Sequence, residues 1–277
     1  LIFEKCSLFY RMFFFLENED FSDGLAHIDK SVVVELPFNG SLSTDGVIQE
    51  KILLSNGFEL ARQSSQMTVR PQNLSGYNDA KDPRLTFDYG VMDEIPQYME
   101  MLYKTFNPLF AFLPDERDMA RLINEKCILC AYYDGKLAGI LNAEPFNGNV
   151  WARHIAISND FRGMGIGGRL LYEGHRIHKE ECREFKSWVD VHNIPSVKLH
   201  EKIGYSFDNR KANEYVFEPS NAVKSSDSSF LGGYWESIEE TYKETYRETN
   251  KEMNVAMIRL FVALNCMIAV ECGKEAY

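Results

Sequence analysis

Apolar residues recur along this 277-residue chain at two spacings, and the switches between them mark out its elements. Leu8–Leu16 and Ser31–Leu36 are apolar runs of strand length. Asp45–Ser55 has helical spacing, Asn56-Gly57-Phe58 is a turn, and Glu59–Val69 is predicted as a strand. A polar connector, Arg70–Asp82, holds Pro71 and Gly76 and leads into Pro83. Arg84–Tyr89 then reads as a strand. Ile95, Met99, Leu102, Tyr103 and Phe106 recur every three or four residues, which predicts a helix over Met92–Phe106. Asp115–Lys126 opens with acids, as a helix N-terminus favours. Cys127–Tyr133 and Lys136–Ala143 are strands joined at Asp134-Gly135, a strong hairpin signal. Asn147-Gly148 marks the next tight turn, before the strand Val150–Ser158. Glu218–Gly233 is rich in Ser, Gly and Asp and reads as a linker. Beyond it, Trp235, Ile238, Tyr242, Thr245, Thr249, Met253, Ala256 and Leu260 form one face of a long amphipathic helix. The chain therefore divides into 1–70, 84–218 and 219–277.

Composition narrows the function classes. A net charge of −11 with no Lys/Arg cluster disfavours a nucleic-acid surface and mildly favours a cationic amine by steering. Val255–Val270 is apolar but spans only 16 residues and contains Arg259 and Asn265, which is short for a membrane span. Packing on another domain or on a second copy, as a homodimer, is the favoured reading of that helix. Leu1–Leu16 is apolar but lacks a small-residue cleavage pattern. Cys6, Cys127, Cys130, Cys182, Cys266 and Cys272 show no disulfide-framework spacing, so reduced thiols and a cytoplasmic location are expected. Cys127 and Cys130 are three apart in a predicted strand and should face opposite sides. No ligand set for a metal falls at useful spacing.

The most telling stretch is a glycine turn between strand and helix. Ile155-Ala156-Ile157 is strand-like, Arg162-Gly163-Met164-Gly165-Ile166-Gly167-Gly168 is the turn, and Arg169-Leu170-Leu171-Tyr172 starts a helix. Glycines with φ > 0 bring several N–H groups toward one anion, and the helix N-terminus adds its positive end. Gly163, Gly165 and Gly168 satisfy a dinucleotide pattern, with Asp190 about where a ribose-binding acid belongs. That would make a nicotinamide-dependent oxidoreductase. Ser158–Arg162 separates strand from glycines, however, and no second βαβ half follows.

Arg162 to Gly167 also matches the R/Q-x-x-G-x-G/A signature of the GCN5-related N-acetyltransferase (GNAT) superfamily. Asn193-Ile194-Pro195-Ser196-Val197-Lys198-Leu199-His200-Glu201-Lys202-Ile203-Gly204-Tyr205 resembles that family's N-x-x-A/S-x-x-L-Y-E-K-x-G-F block. The resemblance covers roughly residues 84–218. It implies an α/β (α+β) fold with a mixed, mostly antiparallel sheet whose central strands splay, ending in a strand, a helix and a final strand pair. Ile52–Arg62 faintly echoes Leu199–Phe207, so the first segment is either a degenerate half-copy of the fold or a different strand–helix–strand module.

The resemblance implies acetyl-CoA held in the splay, with transfer of its acetyl group to the primary amine of a small molecule or amino acid. The main chain of Ile155, Ala156 and Ile157 would pair with the pantetheine arm. The N–H groups from Gly163 to Gly168 would take the pyrophosphate, with Arg162, Met164, Ile166 and Arg169 around it. Asn193 would bind the pantetheine or a water beside it. His200 stands where the family usually has a Tyr that protonates the thiolate, and an imidazolium can take that role. Some family members place a basic Glu at the position of Trp151. Here Glu144 is the first candidate base and His154 the second. His175 and His178 are expected on the exposed face of the helix. A non-catalytic acyl-CoA-binding module is the alternative that Trp151 and His200 keep open.

Overall fold

The computed structural model describes residues 2–5, 10–13, 25, 28–75, 82–180 and 182–219, all within the first of the chain's two units, Leu1–Ala222. The C-terminal helix expected over 235–260, nearly all of the linker before it, and the middle of the 70–82 connector lie outside these residues. No helix among them is long and apolar enough to cross a membrane.

In chain order the strands are β1 (Ile2–Lys5), β2 (Tyr10–Phe13), β3 (Val32–Asn39), β4 (Glu59–Val69), β5 (Leu85–Tyr89), β6 (Ile128–Tyr133), β7 (Lys136–Phe146), β8 (Asn149–Ile157), β9 (Phe185–Asp190) and β10 (Ser206–Phe217). The helices are α1 (Thr44–Ser55), α2 (Ile95–Thr105), α3 (Pro108–Ala111), α4 (Glu116–Asn124), α5 (Ile166–His178) and α6 (Ile194–Ile203). Local chemistry sets several ends. Ser43 caps α1 by accepting from the Gly46 N–H, and Asp115 caps α4 by accepting from the Asp118 N–H. Asp134 and Gly135 both take positive φ, as the tight β6–β7 hairpin requires.

The strands form one sheet in the order β1-β2-β3-β10-β4-β9-β8-β7-β6-β5. Among the described strands, only β2–β3 and β8–β9 pair in parallel. This mixed, mostly antiparallel sheet fits the expected fold class. It excludes the doubly wound parallel sheet of a dinucleotide domain, because β8 runs antiparallel to β7 along its length. One expectation fails: the late segment supplies one final strand, not a pair. β10 is flanked by β3 and β4, and β4 lies between β10 and β9. Pairing on both edges satisfies the main chain of Ser64 and Ser65, which are buried; Gln66, also buried, pairs with β9 alone. Extended pairing replaces a turn at Asp208–Arg210, which instead forms an irregularity against β4.

Both sheet faces carry core. On one, Leu170 and Leu171 of α5 and Ile203 of α6 pack against Leu141, Val150, Phe185 and Met67. On the other, Tyr98, Met99 and Leu102 of α2 and Met119 and Leu122 of α4 pack against Ile128, Ile140 and Ala156. Cys127 and Cys130 both belong to this second cluster, contrary to the expected opposite facing. The reason is that Cys127 precedes β6, so strand alternation does not govern it. Burial pushes both thiols up to about 11.

Candidate active site

β8 and β9 pair only at Val150–Phe185 and Trp151–Lys186. There the Ser187 hydroxyl donates to the Ala152 carbonyl at 3.0 Å, and beyond it the strands diverge. The gap opens into a groove of about 590 Å³. Ala152, Arg153, Ile155 and Ile157 form one wall. Ser187 and Trp188 of β9, with α6, form the other, while Thr105 and Phe106 at the end of α2 close one end.

The glycine turn forms the opposite end. A short 3₁₀ turn, Asn159–Phe161, leads to Arg162, whose Nε donates to the Ile157 carbonyl at 3.3 Å. Gly163 (φ 80°) and Gly165 (φ 75°) are left-handed, and Gly165 is the N-cap of α5. No side chain caps this helix, and Gly165, Ile166, Gly167 and Gly168 of its first turn line the groove. A Cβ on Gly163 would touch nothing within 4 Å, so the requirement there is angular. At Gly167 it is spatial: a Cβ would stand 2.9 Å from Leu199 Cδ1, where α5 packs on α6.

Of the residues singled out in the sequence, Ile155, Ile157, Arg162, Gly163, Gly165, Ile166, Gly167, Gly168, Asn193 and His200 line the groove. Ala156 is buried in the opposite core, and neither Met164 nor Arg169 forms part of the wall. Asn193 is exposed and caps α6, its Oδ1 accepting from the Ser196 N–H at 3.1 Å.

His200 is 1% exposed, and its Nδ1–H donates to the Ser196 carbonyl at 2.8 Å. The ring of Tyr205 packs against it edge-on at 5.0 Å. Burial pushes the imidazole's pKa below its ordinary value, against the opposing pull of the Ser196 carbonyl. Near neutral pH the ring is therefore uncharged, and Nε2 is a buried lone pair with no partner among the described residues. An imidazolium waiting to donate, as the sequence suggested, is not the resting state of this side chain.

The structure does not bring Glu144 to the groove wall. It stands on β7 opposite Trp151, accepting from Asn142 Nδ2 at 2.9 Å, with Arg153 Nε 4.0 Å away. His154 is buried beside it. Its Nε2–H donates to the Ala111 carbonyl at 2.6 Å, and Phe106 meets the ring edge-on. Desolvation lowers its pKa too, so it is neutral with a partnerless Nδ1.

His175 corrects an expectation. It is buried, not exposed, because Gly174 beside it faces β7, where a Cβ would overlap Leu141. Its Nδ1 donates to the Leu171 carbonyl and its Nε2 accepts from the Tyr205 hydroxyl. Burial pushes its pKa down to about 3. His178, on the same helix, is half-buried.

Sequence reasoning missed Arg153 and Trp188. Trp188 was legible in principle, since it alternates with the buried Phe185, Ser187 and Val189. Arg153 was not. Asn142 pairs with His154 and Ala143 with Ala152, leaving Arg153 as the extra residue of a β-bulge.

Residues 95–205 match the model of the acetyltransferase (GNAT) family. A phosphinothricin N-acetyltransferase from Streptomyces viridochromogenes is 34% identical over 97 residues, covering 32% of this chain and 52% of that protein. A probable spermine N(1)-acetyltransferase from Bacillus subtilis subsp. natto is 25% identical over 87 residues, covering 28% of this chain and 57% of the relative. The chain thus spans about half the length of the curated relatives it matches. A GCN5-related N-acetyltransferase structure from Sphaerobacter thermophilus superposes with a TM-score of 0.51 at 18% identity, covering 68% of this chain and 60% of that one. At that identity the likeness concerns the fold.

Proposed function

We propose that the chain, whose residues 95–205 match the model of the acetyltransferase (GNAT) family, transfers an acetyl group from acetyl-CoA to the primary amine of a small molecule. The observation that carries the reading is the groove between β8 and β9, lined both by the first turn of α5, which no side chain caps, and by His200, whose buried Nε2 has no partner among the described residues.

These residues fit the coenzyme. Gly163 and Gly165, fixed in the left-handed region, and the first-turn amides of α5 would hold its diphosphate, with Arg162 as a fixed cation. From Ala152 onward β8 has no strand partner across the gap, so its main chain is free to pair with an extended amide-bearing arm. Apolar Ile155 and Ile157 exclude water along that wall. When bound, the coenzyme supplies a thioester carbon open to attack by an amine lone pair, with a thiolate as leaving group.

Two protons must move. An ammonium must lose one proton before it can attack and a second as the amide forms. The first goes to solvent, since Glu144 stands outside the groove wall. The neutral His200 takes the second at Nε2 and returns it to the thiolate, acting as base and then acid at one atom. One proton is released to solvent per turnover. Acceptor-dependent appearance of free CoA thiol, measured over a panel of primary amines, tests the reading. Binding of acetyl-CoA without acceptor-dependent release from any amine would refute transfer and leave an acyl-CoA-binding module.

A further inference from the structure

We propose that the acceptor is an amine that also carries an anionic group, and that Arg153 recognises that anion. This rests on the acetyl-transfer reading and specifies its second substrate. Four cationic side chains line the groove: Arg162 on the glycine turn, Lys198 and Lys202 on α6, and Arg153 on β8. Arg162 and the amides of α5 stand where a diphosphate is placed above. Arg153 is the cation of the strand wall. It lies four residues back along β8 from Ile157, roughly 13 Å at strand rise, so it is out of that diphosphate's reach.

The β-bulge is what presents Arg153. As the residue with no opposite number on β7, it is released from strict alternation, and its guanidinium lies over the Trp151 ring at 5.0 Å while lining the groove. Among the described residues its side chain makes no hydrogen bond. Its nearest acid is Glu144, at 4.0 Å, and that carboxylate is already held by Asn142. A guanidinium offers five N–H donors in a planar fork suited to a carboxylate. Beneath it, Nε1 of Trp151 is a buried donor without an acceptor.

Asn142, Glu144 and His154 do not line the groove, so the acceptor's second charge is read by Arg153. A zwitterionic amine sets its anion on that fork. A polyamine would set a second cation against Arg153.

The test uses the full chain and three classes of acceptor: an α-amino acid, its uncharged carboxamide, and a linear polyamine. Initial rates of CoA release are measured for each, and calorimetry follows acetyl-CoA binding. The wild type should prefer the amino acid over the carboxamide by about tenfold in kcat/KM, the value of one charge-assisted hydrogen bond. Arg153→Met should erase that preference by raising KM for the amino acid, and Arg153→Lys should restore part of it. An equal rate with the carboxamide or the polyamine overturns the inference, as does a preference that survives Arg153→Met. If acetyl-CoA binds but no acceptor releases CoA, the transfer reading fails and the inference fails with it.

Discussion

Gly163→Ala isolates the turn on which the proposed coenzyme binding depends. Gly163 holds φ at 80°, and a Cβ built there meets nothing within 4 Å. The substitution therefore introduces no clash, only the cost of a left-handed conformation in a residue with a side chain. That cost is roughly 1–2 kcal/mol. The turn is exposed, so the free variant can relax toward negative φ and swing its amides away. Binding must then restore the left-handed angle, and affinity falls by about tenfold. Calorimetry with two ligands checks the reasoning. Acetyl-CoA should bind Gly163→Ala about tenfold more weakly than wild type. Acetyl-pantetheine, which lacks the diphosphate, should bind both proteins equally. An equal loss for both ligands would mean that the turn shapes the whole groove. No loss for acetyl-CoA would mean that its diphosphate does not sit on these amides.

His200→Phe should lower kcat by about a hundredfold or more, the usual range for losing a positioned acid–base group, with a smaller effect on acetyl-CoA affinity. Because burial lowers the His200 pKa and the proposed mechanism uses the lone-pair form, wild-type kcat should hold below pH 6.5 and fall only at more acid pH; the variant should lack that limb in a pH–rate profile. His175 gives a stability prediction. Its folded pKa is about 3 against an ordinary 6.5, so in that window the unfolded chain binds the extra proton and stability is lost as pH falls. Urea midpoints from pH 7 to pH 5 should drop for wild type and drop less for His175→Phe, the remainder coming from His154 and His200, whose pKa values burial also lowers. Arg62→Met strands Glu214, which Arg62 binds bidentately and which is 4% exposed on β10. The predicted cost is about 3–5 kcal/mol in denaturant unfolding, and Arg62→Met with Glu214→Leu should recover much of it.

Local pattern made most elements readable. Glu59–Val69 coincides with β4, the Asp134-Gly135 hairpin sits where two positive φ angles were expected, and the glycine turn stands between strand and helix. The faint echo between Ile52–Arg62 and Leu199–Phe207 corresponds to two helix–glycine–strand units, α1–β4 and α6–β10, whose strands pair with each other. What the sequence hid was non-local. Nothing in Glu59–Val69 says that it pairs between two strands from more than a hundred residues later. The bulge at Arg153 has no glycine or other local mark, because it is set by register with β7. His175 carries a polar side chain on a helix whose inward phase depends on how closely Gly174 lets α5 approach the sheet. His200 was found through its motif, but its charge state depends on burial and on the Ser196 carbonyl, which no spacing reveals.

A crystal structure of the chain grown with acetyl-CoA tests the central claim most directly. The diphosphate should lie on the N–H groups between Gly163 and Gly168, with the pantetheine arm threaded between β8 and β9 and the sulfur near Nε2 of His200. Coenzyme bound elsewhere, or a gap between those strands filled by the protein's own side chains, would contradict it.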